Sequence, residues 1–164
     1  MRRWIFVLPV VALLCAGCSQ PVAVSNVQDR VVNVSRNDAS MNAAMETARK
    51  TVGKFTAALA NPKSTHSGFA VKMPISDGSE TEHFWLSNVT FDGKLFHGNI
   101  NNEPETVKTV KLGQAMTLTQ TQMSDWMYLE NGKLVGGYTI RVLRDVMTPA
   151  ERAEFDKTMP FTVQ

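Results

Sequence analysis

The change of hydrophobic period at Asn61-Pro62 constrains this chain more than any other feature of its 164 residues. Before it, Met41, Ala44, Met45, Ala48, Val52, Phe55 and Leu59 recur at steps of three and four, which puts them on one face of an α-helix. Asp38 or Ser40 can accept the free N–H groups at its start. Asn61-Pro62 ends it, because the residue before a proline is driven out of the α region. Gly53 weakens the helix interior by up to ~1 kcal/mol relative to alanine. A stripe of this kind reads as core-facing rather than as a face for a partner.

Beyond Pro62 the period falls to two. Phe69, Val71 and Met73 point one way, Ala70 and Lys72 the other. Asp77-Gly78 marks a turn, and residues 81–91 and 94–101 flank Asp92-Gly93, a strong hairpin signal. A two-residue loop sets Phe91 opposite Lys94, Val89 opposite Phe96 and Trp85 opposite Ile100. That register predicts a core face of Trp85, Val89, Phe91, Phe96 and Ile100 against the helix stripe. The other face mixes Phe84, Leu86 and Leu95 with Asn88, His97 and Asn99.

Residues 115–119 read as a further strand. A second hairpin over residues 126–143 turns at Asn131-Gly132 with Glu130 opposite Lys133, and Gly136-Gly137 inside it predicts a bulge or a close backbone approach. Thr148-Pro149-Ala150-Glu151 combines a capping box with proline at the first helical position, opening a last helix that ends near Lys157. The predicted class is α+β: an antiparallel sheet of about five strands built from two hairpins, packed by an N-terminal and a C-terminal helix.

The first residues carry a different message. Met1-Arg2-Arg3, an apolar run over residues 4–14 and Cys15-Ala16-Gly17-Cys18 form a secretory signal. The run is about half the ~20 residues needed to span a bilayer. Ala16-Gly17-Cys18 resembles the lipobox of bacterial lipoproteins, with Cys15 where an apolar residue is usual and Leu14 one step further back. The resemblance implies cleavage before Cys18 and lipid on its sulfur, and two or more acyl chains anchor a protein stably. The expected organisation is a lipoprotein signal peptide over residues 1–17, lipidated Cys18 with a tether over residues 18–37, and one α+β domain over residues 38–164. Val31-Val32-Asn33-Val34 offers an added edge strand as the alternative to a tether. Ser19 after the cysteine, by the enteric sorting scheme, implies the outer membrane facing the periplasm.

Loss of Cys15 and lipidation of Cys18 leave the domain without cysteine. Disulfides, thiolate zinc sites, iron–sulfur clusters and a cysteine nucleophile are thereby excluded. Losing Arg2 and Arg3 lowers Lys+Arg from 17 to 15, equal to Asp+Glu, so the net charge falls from +2 to zero. A neutral domain has no electrostatic footprint for nucleic acid.

Several stretches then read together: Asp38-Ala39-Ser40-Met41-Asn42-Ala43-Ala44, Glu82-His83-Phe84-Trp85-Leu86, Gly98-Asn99-Ile100-Asn101-Asn102-Glu103-Pro104, Ser124-Asp125-Trp126-Met127-Tyr128 and the run over residues 132–143. In this order they resemble the YegJ-like family of bacterial lipoproteins, a domain of unknown function. The resemblance covers residues 38–157 and implies no activity and no site residue. Some immunity proteins share a similar layout, which is a fold-level analogy.

Few residues suggest chemistry. His66, His83 and His97 lack the local spacing of a metal pair, so no metal or cofactor is expected. Ser124, His97 and Asp125 can be grouped as a nucleophilic constellation on paper, yet no Gly-x-Ser-x-Gly elbow is present. Paired carboxylates for glycoside cleavage would have to come from Asp77, Glu80, Glu82, Glu103 or Asp125, with Glu80 and Glu82 on one strand face, as a solvated edge strand would also place them. The polar residues that stand out are Asn101, Asn102, Glu103 and Asp125, beside Trp126 and Tyr138. Either they bond loop backbone and fill the core, or they form a recognition surface. The expectation is a lipid-anchored periplasmic binding or interaction module without catalysis, whose partner is an envelope protein or a toxin. The alternatives are an immunity-type toxin inhibitor and an envelope hydrolase.

Overall fold

The computed structural model describes residues 39–164. The expected signal peptide, Cys18 and the tether lie outside the described residues. Helix α1 (Ala39–Ala60) follows the predicted stripe: Ala44, Ala48, Val52 and Phe55 are buried, and Met41, Met45 and Leu59 are half-buried. Six strands follow: β1 (His66–Asp77), β2 (Glu80–Phe91), β3 (Phe96–Ile100), β4 (Ala115–Leu118), β5 (Asp125–Glu130) and β6 (Lys133–Gly136). They form one antiparallel sheet in the order β4-β3-β2-β1-β5-β6. Helices α2 (Tyr138–Asp145) and α3 (Pro149–Thr158) close the chain. The class is α+β as expected, with six strands and one extra helix. Among the described residues no helix is long and apolar enough to cross a membrane.

The core occupies one face of the sheet. Phe55 is fully buried, its ring centroid 5.8 Å from Phe69, 6.0 Å from Phe96 and 5.6 Å from Trp126. The Trp126 indole donates to the Ala48 carbonyl at 2.8 Å, and Ala48 itself is fully buried. Residues 119–124 join β4 to β5 across the sheet and bury Met123 in the same core. Arg49 on α1 donates to the Met123 carbonyl at 3.0 Å.

The predicted register of the first hairpin needs correction. The Asp92 turn is a four-residue loop, not a two-residue one, because Phe91 pairs with Phe96. Asp92 Oδ1 sets this loop by accepting the N–H groups of Lys94 at 2.8 Å and Leu95 at 2.7 Å. A bulge then follows between Ser87 and Thr90, where Asn88 takes φ 53°, and Leu86 rather than Trp85 stands opposite Ile100. A one-residue shift sends every side chain upstream to the other face. Val89, Phe96 and Ile100 are therefore in the core as predicted. Phe84 and Leu86 are fully buried with them, while Trp85 lies on the opposite face and Phe91, expected in the core, is exposed beside the loop.

The second hairpin turns at Asn131-Gly132 with φ 52° and 73°, and Glu130 pairs with Lys133 as predicted. Its second strand does not continue to residue 143; it stops at Gly136. Gly136 and Gly137 both have positive φ, and a Cβ on Gly136 would lie 2.5 Å from Trp126 Cε3. The backbone passes against the indole there and turns into α2. Thr148 and Glu151 form the predicted capping box of α3.

Candidate functional site

The sheet face turned away from the helices carries Lys72, His83, Trp85, Met127, Asn99 and His97. Trp85, Lys72 and Met127 are half-buried and His83 is exposed. Lys72 Nζ sits 5.3 Å from the Trp85 ring centroid, within reach of the ring's negative face. Burial pushes the Lys72 ammonium below the usual lysine range, and the Asp125 carboxylate pulls it the other way. His83 Nδ1 lies 2.9 Å from the Oγ of Ser124, which is only 2% exposed. Partial desolvation of its ring, then the Lys72 charge, hold this imidazole down at about 4 although the residue as a whole is exposed.

Ser124 thus meets His83, which is 41 residues away in sequence, and not His97. His97 Nε2 is held 3.0 Å from Asp92 Oδ2 at the hairpin tip. Asp125 takes no part in a relay either. Its carboxylate is fully buried and accepts the N–H groups of Trp126 at 2.8 Å, Tyr138 at 3.2 Å and Thr139 at 2.8 Å, and the Thr139 hydroxyl at 2.6 Å. It is the N-terminal cap of α2, supplied from another strand. Burial raises its pKa, and the Thr139 hydroxyl, the Thr139 and Trp126 N–H groups and Lys72 oppose that rise in turn.

The six residues singled out in the sequence do not make one surface. Asp125 and Trp126 are buried, and a buried side chain cannot meet a partner without unfolding its surroundings. Tyr138 is half-buried, edge-on to Trp126 at 5.7 Å, and its hydroxyl accepts from Thr51 Oγ1 at 2.9 Å. Asn102 Oδ1 accepts the Trp85 N–H at 3.0 Å, extending the sheet, while Asn101 and Glu103 are exposed beside it. Glu82, a candidate for carboxylate chemistry, accepts the N–H groups of Glu105 at 3.1 Å, Thr106 at 3.2 Å and Val107 at 3.3 Å. These bonds dock the loop that buries Val107.

Further along the same face the chain forms a shallow hollow of about 420 Å³ between the Asn88 bulge, β3 and β4. His97 pairs with Thr117 and Asn99 with Ala115 across its floor. Sequence reasoning missed it because the bulge decides which side chains line it.

Residues 38–162 match the model of a family described as an uncharacterized protein conserved in bacteria (DUF2314). The uncharacterized protein YegJ of Escherichia coli K12 is 37% identical over 154 residues, covering 94% of this chain and 95% of its own length. A protein of Neisseria meningitidis serogroup B named for ankyrin repeats is 36% identical over 131 residues, covering 75% of this chain and 52% of its own length. No solved structure matches significantly.

Proposed function

This chain belongs to the DUF2314 family of bacterial proteins, and we propose that it is a non-catalytic binding module held to the cell envelope by lipid on Cys18. One observation carries the binding reading. The sheet face opposite the helices presents a half-exposed tryptophan, a lysine over its ring, a methionine and an exposed histidine. Tryptophan and methionine are among the residue types enriched at recognition surfaces, and a half-exposed tryptophan is the usual anchor of one. Catalysis is disfavoured by what the polar groups already do. Asp125 and Glu82 are saturated by internal donors, and Ser124 is almost closed to solvent. The anchor rests on the basic start, the apolar run and Ala16-Gly17-Cys18, with Ser19 favouring the outer membrane.

Photo-crosslinking in living cells tests the surface. A photoreactive residue at position 85 or 127 should give discrete adducts, and one at the exposed Lys54 of α1 should not. Adducts from position 54 alone, or none from 85 and 127, would remove the binding reading. A toxin among the adducts would make the module an immunity-type inhibitor. For the anchor, metabolic palmitate labelling should be present in wild type and absent in Cys18→Ala; unlabelled wild type would end the lipoprotein proposal.

A further inference from the structure

We propose that the hollow between β2, β3 and β4 binds a neutral saccharide. This rests on the open sheet face being the binding surface, and it names the ligand class for one part of it.

The chemistry of the lining carries the inference. Asn88 stands in the bulge with φ 53°, which a short amide side chain tolerates, and the bulge bends β2 away from its neighbour. Ala115 and Thr117 on β4 are small, so a depression of about 420 Å³ opens where they face Asn99 and His97. That volume is at the lower end of the ~300–1,000 Å³ typical of ligand sites. Within the described residues the Asn88 amide and the Thr117 hydroxyl have no hydrogen-bond partner. The Asn99 amide is oriented by donating to the Gly113 carbonyl at 3.1 Å, which leaves its Oδ1 free to accept. Asp92 likewise fixes the His97 ring through Nε2, leaving Nδ1 for a ligand.

These groups select among ligands. No lysine or arginine lines the hollow, so a phosphate or carboxylate finds no cation there. An apolar ligand would strip water from unpaired amide and hydroxyl groups without replacing those bonds. A polyhydroxylated ring suits the set, because each sugar hydroxyl donates and accepts, and a planar amide can engage two neighbouring hydroxyls. Ala115 leaves a small apolar patch at the floor for a ring's C–H face. The shallow shape suits an oligosaccharide that stays partly in water.

The test titrates the full lipidated chain in detergent with chitotetraose and, separately, maltotetraose, following backbone amide NMR shifts. At least one sugar should give saturable shifts centred on Asn88, His97, Asn99 and Thr117. Asn88→Gly keeps the left-handed backbone and Thr117→Val keeps the volume. The double variant should retain the wild-type spectrum and bind about tenfold more weakly, the loss expected for one or two hydrogen bonds. Co-sedimentation with purified cell-wall sacculi then separates a polymeric source from a free sugar. No saturable shift with either sugar, or equal affinity in the double variant, overturns the inference. If position 85 or 127 still crosslinks, the saccharide fails and the binding reading stands; if it does not, both fail.

Discussion

Replacing Asp125 should detach α2 from the sheet. The carboxylate accepts three backbone N–H groups and one hydroxyl, and two of those N–H groups open α2. Asp125→Ala leaves the N–H groups of Tyr138 and Thr139 beneath the surface without an acceptor. Each unsatisfied buried donor costs about 1–3 kcal/mol, and removal of a buried charge returns part of that, so a net loss of about 3 kcal/mol follows. Asp125→Asn keeps one acceptor oxygen but brings an N–H pair to donors, and should cost about 1–2 kcal/mol. Urea unfolding followed by circular dichroism, with unchanged slope, gives both values. The pH dependence is distinctive. Burial raises the Asp125 pKa above the ordinary aspartate range, so its contribution is greatest below that range and is lost as pH rises through the folded pKa. The deficit of Asp125→Asn should therefore widen as pH falls from 7 toward 4, whereas a carboxylate in a salt bridge gives the reverse. A deficit below about 0.5 kcal/mol in Asp125→Ala, the size of an ordinary surface change, would refute the capping role.

Phe55→Ala should cost about 3–5 kcal/mol in the same assay, and Trp85→Ala no more than about 1 kcal/mol, since only Phe55 lies in the core; equal losses would return Trp85 to the core. Gly53→Ala meets open space in a helix and should stabilise by up to ~1 kcal/mol, while Gly136→Ala should prevent folding or cost more than about 3 kcal/mol because its Cβ falls on the Trp126 ring; a well-folded Gly136→Ala variant would show that the indole is elsewhere. His83, held at about 4 against an ordinary 6.5, contributes stability that is complete above pH 6.5 and lost as pH falls toward 4. The urea midpoint of His83→Gln should change less than wild type between pH 7.5 and 4.5, and parallel curves would exclude the effect.

What the sequence disclosed was local. The α1 stripe, the Asn131-Gly132 turn and the Thr148–Glu151 cap each depend on residues a few positions apart, and all three are where their spacing placed them. Tyr138-Thr139-Ile140-Arg141-Val142 misled because aromatic and β-branched residues favour strands. What makes it helical is remote: a carboxylate 13 residues upstream and a glycine pair that must pass an indole. The Ser124–His83 contact was hidden for the same reason, since sheet register alone joins residues 41 apart.

The Asn88 bulge ties the fold to the candidate site. With an unbroken register, Trp85 would face the helices, Phe84 and Leu86 would face water, and the apolar core would lose two fully buried side chains. One extra residue in β2 reverses those assignments, and the same local bend opens the hollow beside β4. Asn88 therefore has two separable roles: its backbone sets which face Trp85 occupies, and its amide is free for a ligand. Asn88→Gly preserves the first and deletes the second. Asn88→Val disfavours the left-handed backbone and should disturb both, exposing Phe84 or Leu86 as Trp85 turns inward.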